Sequence, residues 1–240
     1  MLNVIKGDLY KMFRMKAIWI LNIIYVVYNF LTCYLLSEFD EIRTIYGIAS
    51  NIPTLLSLFV GIFMCLFINS EYKNGYIKNI AGIVTDKIHI ILSKIVVSAV
   101  FTVISIIIYM VTSVIFSLMF FKLVDFDNIV EALAYLGVMT LLCIALGMIA
   151  VMIVTAFRNG ALAYIMTVLI STQFIAVLLN GLWTILQYKE IVSENFDISL
   201  IFLTNYFNTE ADNLKGFIVA VVYIAVSSVI SIFAVKKKDI

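Results

Sequence analysis

The chain has 240 residues, of which 64% are apolar, with a mean hydropathy of +1.11, one proline and a formal net charge of +1. Soluble domains are about 45–50% apolar, so this composition excludes one; the near-zero net charge hides a basic set and an acidic set on alternate connections and so says nothing about nucleic acid, which is not among the expected partners. Cys33, Cys65 and Cys143 each fall inside an apolar run, where they act as small apolar residues and form neither a disulfide framework nor a metal site. Richness in Ile, Asn and Lys points to an AT-rich bacterial genome.

Residues 2–13 have helical periodicity. Leu2, Ile5, Leu9, Met12 and Phe13 share one face, and Asn3, Gly7, Lys11 and Arg14 face away. With its basic flanks this segment is expected to lie in a headgroup layer, so residues 1–16 are read as an interfacial helix. Six apolar runs follow: Ala17–Ser37, Asn51–Ile68, Ile95–Phe121, Ala132–Phe157, Ala161–Asn180 and Phe217–Val235. Each has about the 20 residues that cross a hydrocarbon core ~30 Å thick. None holds a Lys, Arg, Asp or Glu. The first is too long for a signal-peptide core and lacks a small-residue cleavage pattern, so it stays as a span. The expected fold is therefore all-α and integral to the membrane, with six transmembrane helices in a single domain over residues 1–240.

The breaks between the runs orient the chain. Lys6, Lys11, Arg14 and Lys16 precede the first run; Lys73, Lys78, Lys87 and Lys94 lie in the second connection; Arg158 is in the fourth; Lys236, Lys237 and Lys238 are in the tail. The alternate breaks carry only Arg43, Lys122, Lys189 and Lys215 against eleven acids. An excess of Lys and Arg marks the cytoplasmic side. Both termini are thus expected inside a bacterial cell membrane, with connections one, three and five outside.

Pro53 falls near the start of the second span, where its missing N–H costs little. The second connection, residues 69–94, is far longer than a simple link, as the tight turn Arg158-Asn159-Gly160 shows. Glu71 to Ile80 has helical character with Gly75 as a close-approach point, and Thr85 or Asp86 is the expected N-cap of a helix running into the third span. Two short helices forming a rigid elbow are expected. Asn180-Gly181 is expected to break the fifth run. The 33-residue insert 181–213 that follows holds two apolar pieces, Leu182–Tyr188 with Trp183 and Ile198–Phe207, read as short helices in the outer interface.

Catalytic chemistry is missing from the pattern. His89, the one histidine, lies in the elbow without a neighbouring Cys or carboxylate arrangement and reads as a surface loop residue. No nucleophile-elbow, zinc-protease or phosphate-binding-loop motif occurs, so the chain is not expected to hydrolyse ATP. Ion-coupled carriers place costly charges inside the membrane, and these runs have none. They hold neutral polarity instead: Asn22, Tyr25 and Asn29 on one face of the first span, and Gln173 and Asn180 beside Ser171 and Thr172 on the fifth. Interhelical hydrogen bonding is one reading of these residues, and lining a substrate path is the other. Ser57 with Gly61, and Ser227 with Ser231, are small-residue pairs for close helix approach; Ser98, Ser105, Ser113 and Ser117 read as packing.

The elbow carries a resemblance. Phe67, Glu71 and Gly75, a short turn, and Lys94 opening the third span resemble the segment after span two in type-2 ABC transporter permeases. Lys87 stands where an Arg is usual, and Ile83-Val84-Thr85 where the family has a Pro. Six spans, cytoplasmic termini and the N-terminal helix extend the resemblance over the whole chain. It is most similar to small Gram-positive permeases that expel, or confer immunity to, lantibiotics and other amphipathic peptides. The resemblance implies a half-transporter: two permease chains, identical or paralogous, with two separate cytoplasmic ATPase subunits that hold ATP and Mg, and no cofactor on this chain. Glu71, Tyr72, Lys73, Gly75, Tyr76 and Lys78 would form the coupling elbow. Glu71 would hold it by a charge-assisted hydrogen bond to a neighbouring helix or to the N-terminal helix, and Gly75 would allow close backbone approach. The alternatives are the substrate-binding membrane subunit of a modular vitamin importer, which would bind its vitamin when purified alone, a channel or non-ATP-driven carrier, and an integral membrane enzyme.

Overall fold

The computed structural model describes residues 2–38, 42–50, 53–83, 87–121, 123–158, 160–188, 202–207 and 213–237. Its helices are α1 (Leu2–Arg14), α2 (Lys16–Ser37), α3 (Ile45–Ser50), α4 (Pro53–Lys73), α5 (Tyr76–Ile83), α6 (Ile88–Phe120), α7 (Ile129–Phe157), α8 (Gly160–Ser171), α9 (Phe174–Tyr188) and α10 (Asn213–Lys237). Two three-residue strands, β1 (Ile42–Thr44) and β2 (Leu123–Asp125), and a 3-10 turn, Leu203–Phe207, complete the described elements. Helices dominate because hydrocarbon offers no partner for a backbone N–H or C=O, and a helix satisfies both within itself. Five of them, α2, α4, α6, α7 and α10, are long and apolar enough to cross a membrane, and α8 with α9 makes a sixth, bent pair.

The centre of the bundle is α7. Every residue from Leu142 to Val151 is buried, and a helix that is apolar all round belongs inside, surrounded by others. It packs against α10, α4, α6 and α8. Small residues set how closely. A methyl group on Gly61 of α4 would come within 2.5 Å of Thr167 Cγ2 and 2.9 Å of Leu146 Cδ2, so the absent side chain is what lets α4 meet α7 and α8. Ser57, Ser98, Ser105, Ser113, Ser117, Ser227 and Ser231 are all buried, in keeping with a packing role.

A polar seam joins α2 to α6. The Asn29 amide donates to Thr112 Oγ1 at 2.8 Å and to the Tyr109 carbonyl at 3.3 Å, and its oxygen accepts from Ser113 Oγ at 2.8 Å. Tyr25 stacks on Tyr109 with ring centroids 4.9 Å apart, and Asn22 donates to the Ile18 carbonyl at 2.8 Å.

The alternation of connections along the chain appears as two ends of the bundle. At one end β1 pairs in parallel with β2, Ile42 opposite Leu123, and Tyr135 of α7 donates to the Phe207 carbonyl at 3.2 Å. Connections one, three and five meet there. At the other end Lys87 reaches the Val235 carbonyl at 3.4 Å, and Arg158 lies over the Tyr72 ring at 5.8 Å. The turn into α8 is as tight as expected: α7 stops at Phe157, Arg158 takes a left-handed conformation with φ 53°, and α8 begins at Gly160.

Three expectations are corrected. The fifth run is not one straight span ending at Asn180-Gly181. It bends by 60° between α8 and α9, and Gln173 adopts φ +61° at the break. Ser171 and Thr172 hydroxyls donate back to the Thr167 and Val168 carbonyls, both at 2.8 Å, and such back-bonding bends helices. Asn180 and Gly181 then lie within α9, and Leu182–Tyr188 continues that helix instead of forming a separate one. Second, among its described residues the elbow contains one short helix, α5, between extensions of α4 and α6; Glu71 belongs to the last turn of α4. Third, the N-cap position of α6 is held by Lys87 without a side-chain cap. Thr85 and Asp86 lie outside the described residues, as do residues 189–201 of the expected outer helices.

Replacing Gly61 by Ala is expected to overpack the α4–α8 contact and cost about 1–3 kcal/mol. Adding Thr167→Ser, which deletes the clashing Cγ2, is expected to restore part of that loss. Thermal unfolding of the purified protein in detergent checks both.

Candidate functional site

The polar residues at the basic end converge on one point. Phe67, Glu71 and Gly75 are spaced by four along α4 and its exit, so they stack on one side of the helix. Phe67 is buried one turn below Glu71. Gly75 ends α4: its φ of +67° turns the chain, its N–H bonds the Tyr72 carbonyl at 3.3 Å, and its own carbonyl accepts the Asn79 N–H at 3.1 Å to start α5. A methyl group added there meets nothing within 4 Å. The glycine is required by backbone conformation, not by the close approach expected of it.

Glu71 is 0% exposed, and so is Asp8 of α1. Lys94, in the second turn of α6, lies between them. Its ammonium donates to Asp8 Oδ2 at 2.6 Å and Glu71 Oε1 at 2.8 Å, and lies 2.7 Å from Glu71 Oε2. Lys11 of α1 reaches Glu71 Oε1 at 3.3 Å. Ser93 Oγ donates to Asp8 Oδ2 at 2.6 Å, and the Tyr76 hydroxyl of α5 donates to Asp8 Oδ1 at 3.0 Å. Two carboxylates and two ammonium groups thus form a neutral set. Aromatic faces complete it: Lys94 lies 5.0 Å and Lys11 5.2 Å from the Phe67 centroid, and Lys11 lies 4.5 Å from that of Tyr76, within cation–π range.

Burial pushes the Lys11 ammonium below the usual lysine range, and the Glu71 carboxylate opposes that shift. The Tyr76 phenol is pushed well above its usual value, first by burial and then by the Asp8 charge it bonds. It therefore stays protonated and remains a donor to Asp8 throughout the physiological range.

These contacts revise the N-terminal helix. The centre of its buried face is Asp8, about 100° round the helix from Leu9, and Lys11 turns inward instead of facing away. Leu9 and Met12 pack on the core, whereas Leu2, Tyr10 and Phe13 stay exposed. Of the six residues expected in the coupling elbow, Glu71, Tyr72 and Tyr76 face into the structure. Lys73 is exposed at the tip, Gly75 makes the turn, and Lys78 lies on α5 with its side chain outside the described residues. Asp8, Lys11 and Ser93 went unrecognised as partners. The available signal for Asp8 was a lone acid set among four basic residues.

Of the five residues expected on a path, Tyr25 and Asn29 turn toward α6 within the chain, Asn22 bonds its own helix and lines a small pocket with Ile108, and Gln173 and Asn180 sit on the bent pair. His89 lies in the first turn of α6 and not in a loop; its Nδ1 is buried without a hydrogen-bond partner among the described residues. Among the described residues no group of His, Cys, Asp or Glu could hold a metal ion.

A bundle of long apolar helices, with a clamped, partly exposed elbow at one end, defines a polytopic membrane protein. The family model described as ABC-2 family transporter protein matches residues 4–175, well over half of the chain, and the chain belongs to that family. It is the membrane-embedded permease subunit of an ABC transporter and works with a separate ATPase subunit. No curated protein matches it.

Lys94→Ala leaves Asp8 and Glu71 buried without their shared cation and is expected to cost about 3–5 kcal/mol. In Asp8→Leu with Lys94→Met, the Glu71–Lys11 pair remains, so the double variant is expected to lose about 0.5–3 kcal/mol less than the sum of the two single variants. Denaturant unfolding in micelles, run as a double-mutant cycle, measures both.

Proposed function

We propose that two copies of this permease, or this chain and a paralogue, pair in a bacterial cell membrane and bind two cytoplasmic ATPases. We infer that the assembly exports amphipathic or hydrophobic peptides such as antimicrobial peptides and toxins, in an export or immunity role. Both termini and the elbow lie in the cytoplasm, the side to which the excess of Lys and Arg assigns them.

The observation that carries this reading is the neutral set formed by buried Asp8, Glu71 and Lys94 with the partly buried Lys11. It ties α1, the end of α4 and the start of α6 together, and α5 hangs from it through Tyr76. An elbow held in this way moves as a rigid body, the form of motion by which closure of a partner is passed on. Its exposed tip at Lys73, Asn74 and Asn79 is free to seat in a groove. The peptide reading rests on spans that offer apolar surface with isolated neutral polarity, Gln173 and Asn180 on the bent pair among it. Sugars and ions need dense polar coordination that these spans lack.

A tagged pull-down from gently solubilised membranes is expected to recover a soluble ATPase at about one per permease. Lys73→Glu, at the exposed tip, is expected to reduce that recovery without lowering the melting temperature. Gly75→Leu forces a side chain into a left-handed conformation that costs about 1–2 kcal/mol. It is expected to leave membrane insertion intact and to abolish peptide-resistance in cells while ATP hydrolysis continues. Recovery of the chain alone would overturn the coupling role. Transport of a hydrophilic solute, with no protection against an amphipathic peptide, would overturn the substrate class.

A further inference from the structure

Beneath the bend between α8 and α9 lies a cavity of about 320 Å³. Its walls come from Ile149 of α7, Ile170 of α8, Ala176 of α9, Leu203 of the 3-10 turn, and Tyr223 and Ser227 of α10. All but two of these side chains are wholly apolar. Ile170 is ten residues into α8 and Tyr223 ten residues into α10, each about 15 Å along its helix at 1.5 Å per residue. In a core ~30 Å thick that places the cavity near the middle of the bilayer. Val226 and Ile230 of α10 also line it, and they are 50% and 42% exposed on the outer surface of the bundle. The cavity therefore has a rim on the face that meets lipid.

We propose that this cavity binds one acyl chain of a membrane phospholipid. Apolar cavities of this kind reject water: one of about 150 Å³ stays dry and takes up a hydrocarbon guest instead. In a bilayer the solvent beside the rim is itself hydrocarbon, so an acyl chain is the occupant at hand. A methylene displaces about the volume of a water molecule, ~30 Å³, so the space takes about ten of them, the inner part of one chain. The Tyr223 and Ser227 side chains are too few and too deep to hold a headgroup, which stays at the interface.

The bend beside the cavity supplies a second, independent observation. Gln173 holds a left-handed conformation without being glycine, which costs of order 1–3 kcal/mol and persists where the surroundings enforce it. Broken helices at membrane depth are tolerated where they line a cavity. Ile175 and Ala176, in the first turn of α9 just past the 60° bend, line the cavity. The chain in the cavity fills the space that the bend opens. The site straddles the end of the family match at residue 175: the α7 and α8 walls lie within it, and the α10 wall lies beyond it.

The test uses the full-length protein in nanodiscs containing phosphatidylglycerol with a photoactivatable diazirine at mid-chain. Cross-links are mapped by mass spectrometry. The wild type is expected to concentrate label on α9 and α10 peptides around Ile175 and Tyr223, above the level on Ile107 and Ile115, which are exposed on α6. Ala176→Phe and Ser227→Leu fill the cavity from opposite walls. Each is expected to lower the α9 and α10 label by about ten-fold, the change that 1.4 kcal/mol of lost chain burial brings, while label on α6 persists as the mark of a folded, inserted protein. Equal labelling of cavity and α6 positions in the wild type would overturn the proposal, and so would cavity labelling that survives both substitutions with α6 labelling intact.

Discussion

Burying a charge near a membrane is costly enough that it happens only as a closed set, and four side chains of this protein form such a set. Asp8, Lys11, Glu71 and Lys94 come from three helices; Asp8, Glu71 and Lys94 are buried, so Lys94 cannot leave without stranding two carboxylates away from water, and Lys11 closes the set from its partly exposed edge. That constraint fixes α1 against the end of α4 and the start of α6. It also fixes α5, because the Tyr76 hydroxyl donates to the same Asp8 carboxylate that holds Lys94. The elbow is short, but it is held by a cluster that joins four helices, α1, α4, α5 and α6.

The opposite flank is built on different principles. Where α8 meets α9, hydroxyls of Ser171 and Thr172 compete for helix carbonyls, Gln173 takes a left-handed conformation, and a cavity opens under the turn. Between these regions stands α7, buried around its full circumference over ten successive residues. The elbow and the bent pair are linked by contact, because both α4 and this central helix pack on α8, α4 through Gly61 against Thr167.

Much of the candidate site was legible in the sequence because each motif residue answers to a local physical need. Glu71 is an acid at the edge of a span and Lys94 a base at the start of the next; Gly75 stood out too, though as a close-approach point and not for the positive φ that it adopts. What could not be read was the third partner. Asp8 sits in a segment whose apolar periodicity points to a lipid-facing stripe centred near Leu9, and nothing local says that the neighbouring carboxylate turns inward. The same limit applies to Asn22, Tyr25 and Asn29. Their shared face was evident, but whether it met another helix or an open path depended on where α6 packs.

Transfer free energy and charge count along one dimension, so the sequence by itself determined which segments are apolar enough to span and how the basic residues alternate between them, though not where the fifth run breaks. Hydropathy needs no partner to act, and each apolar run carries its own cost of exposure. Pairing does need one. The union of Asp8 with Lys94, 86 residues apart, the docking of α1, the bend at Gln173 and the cavity beneath it were decided only by the tertiary structure, because each depends on which helices become neighbours and at what distance.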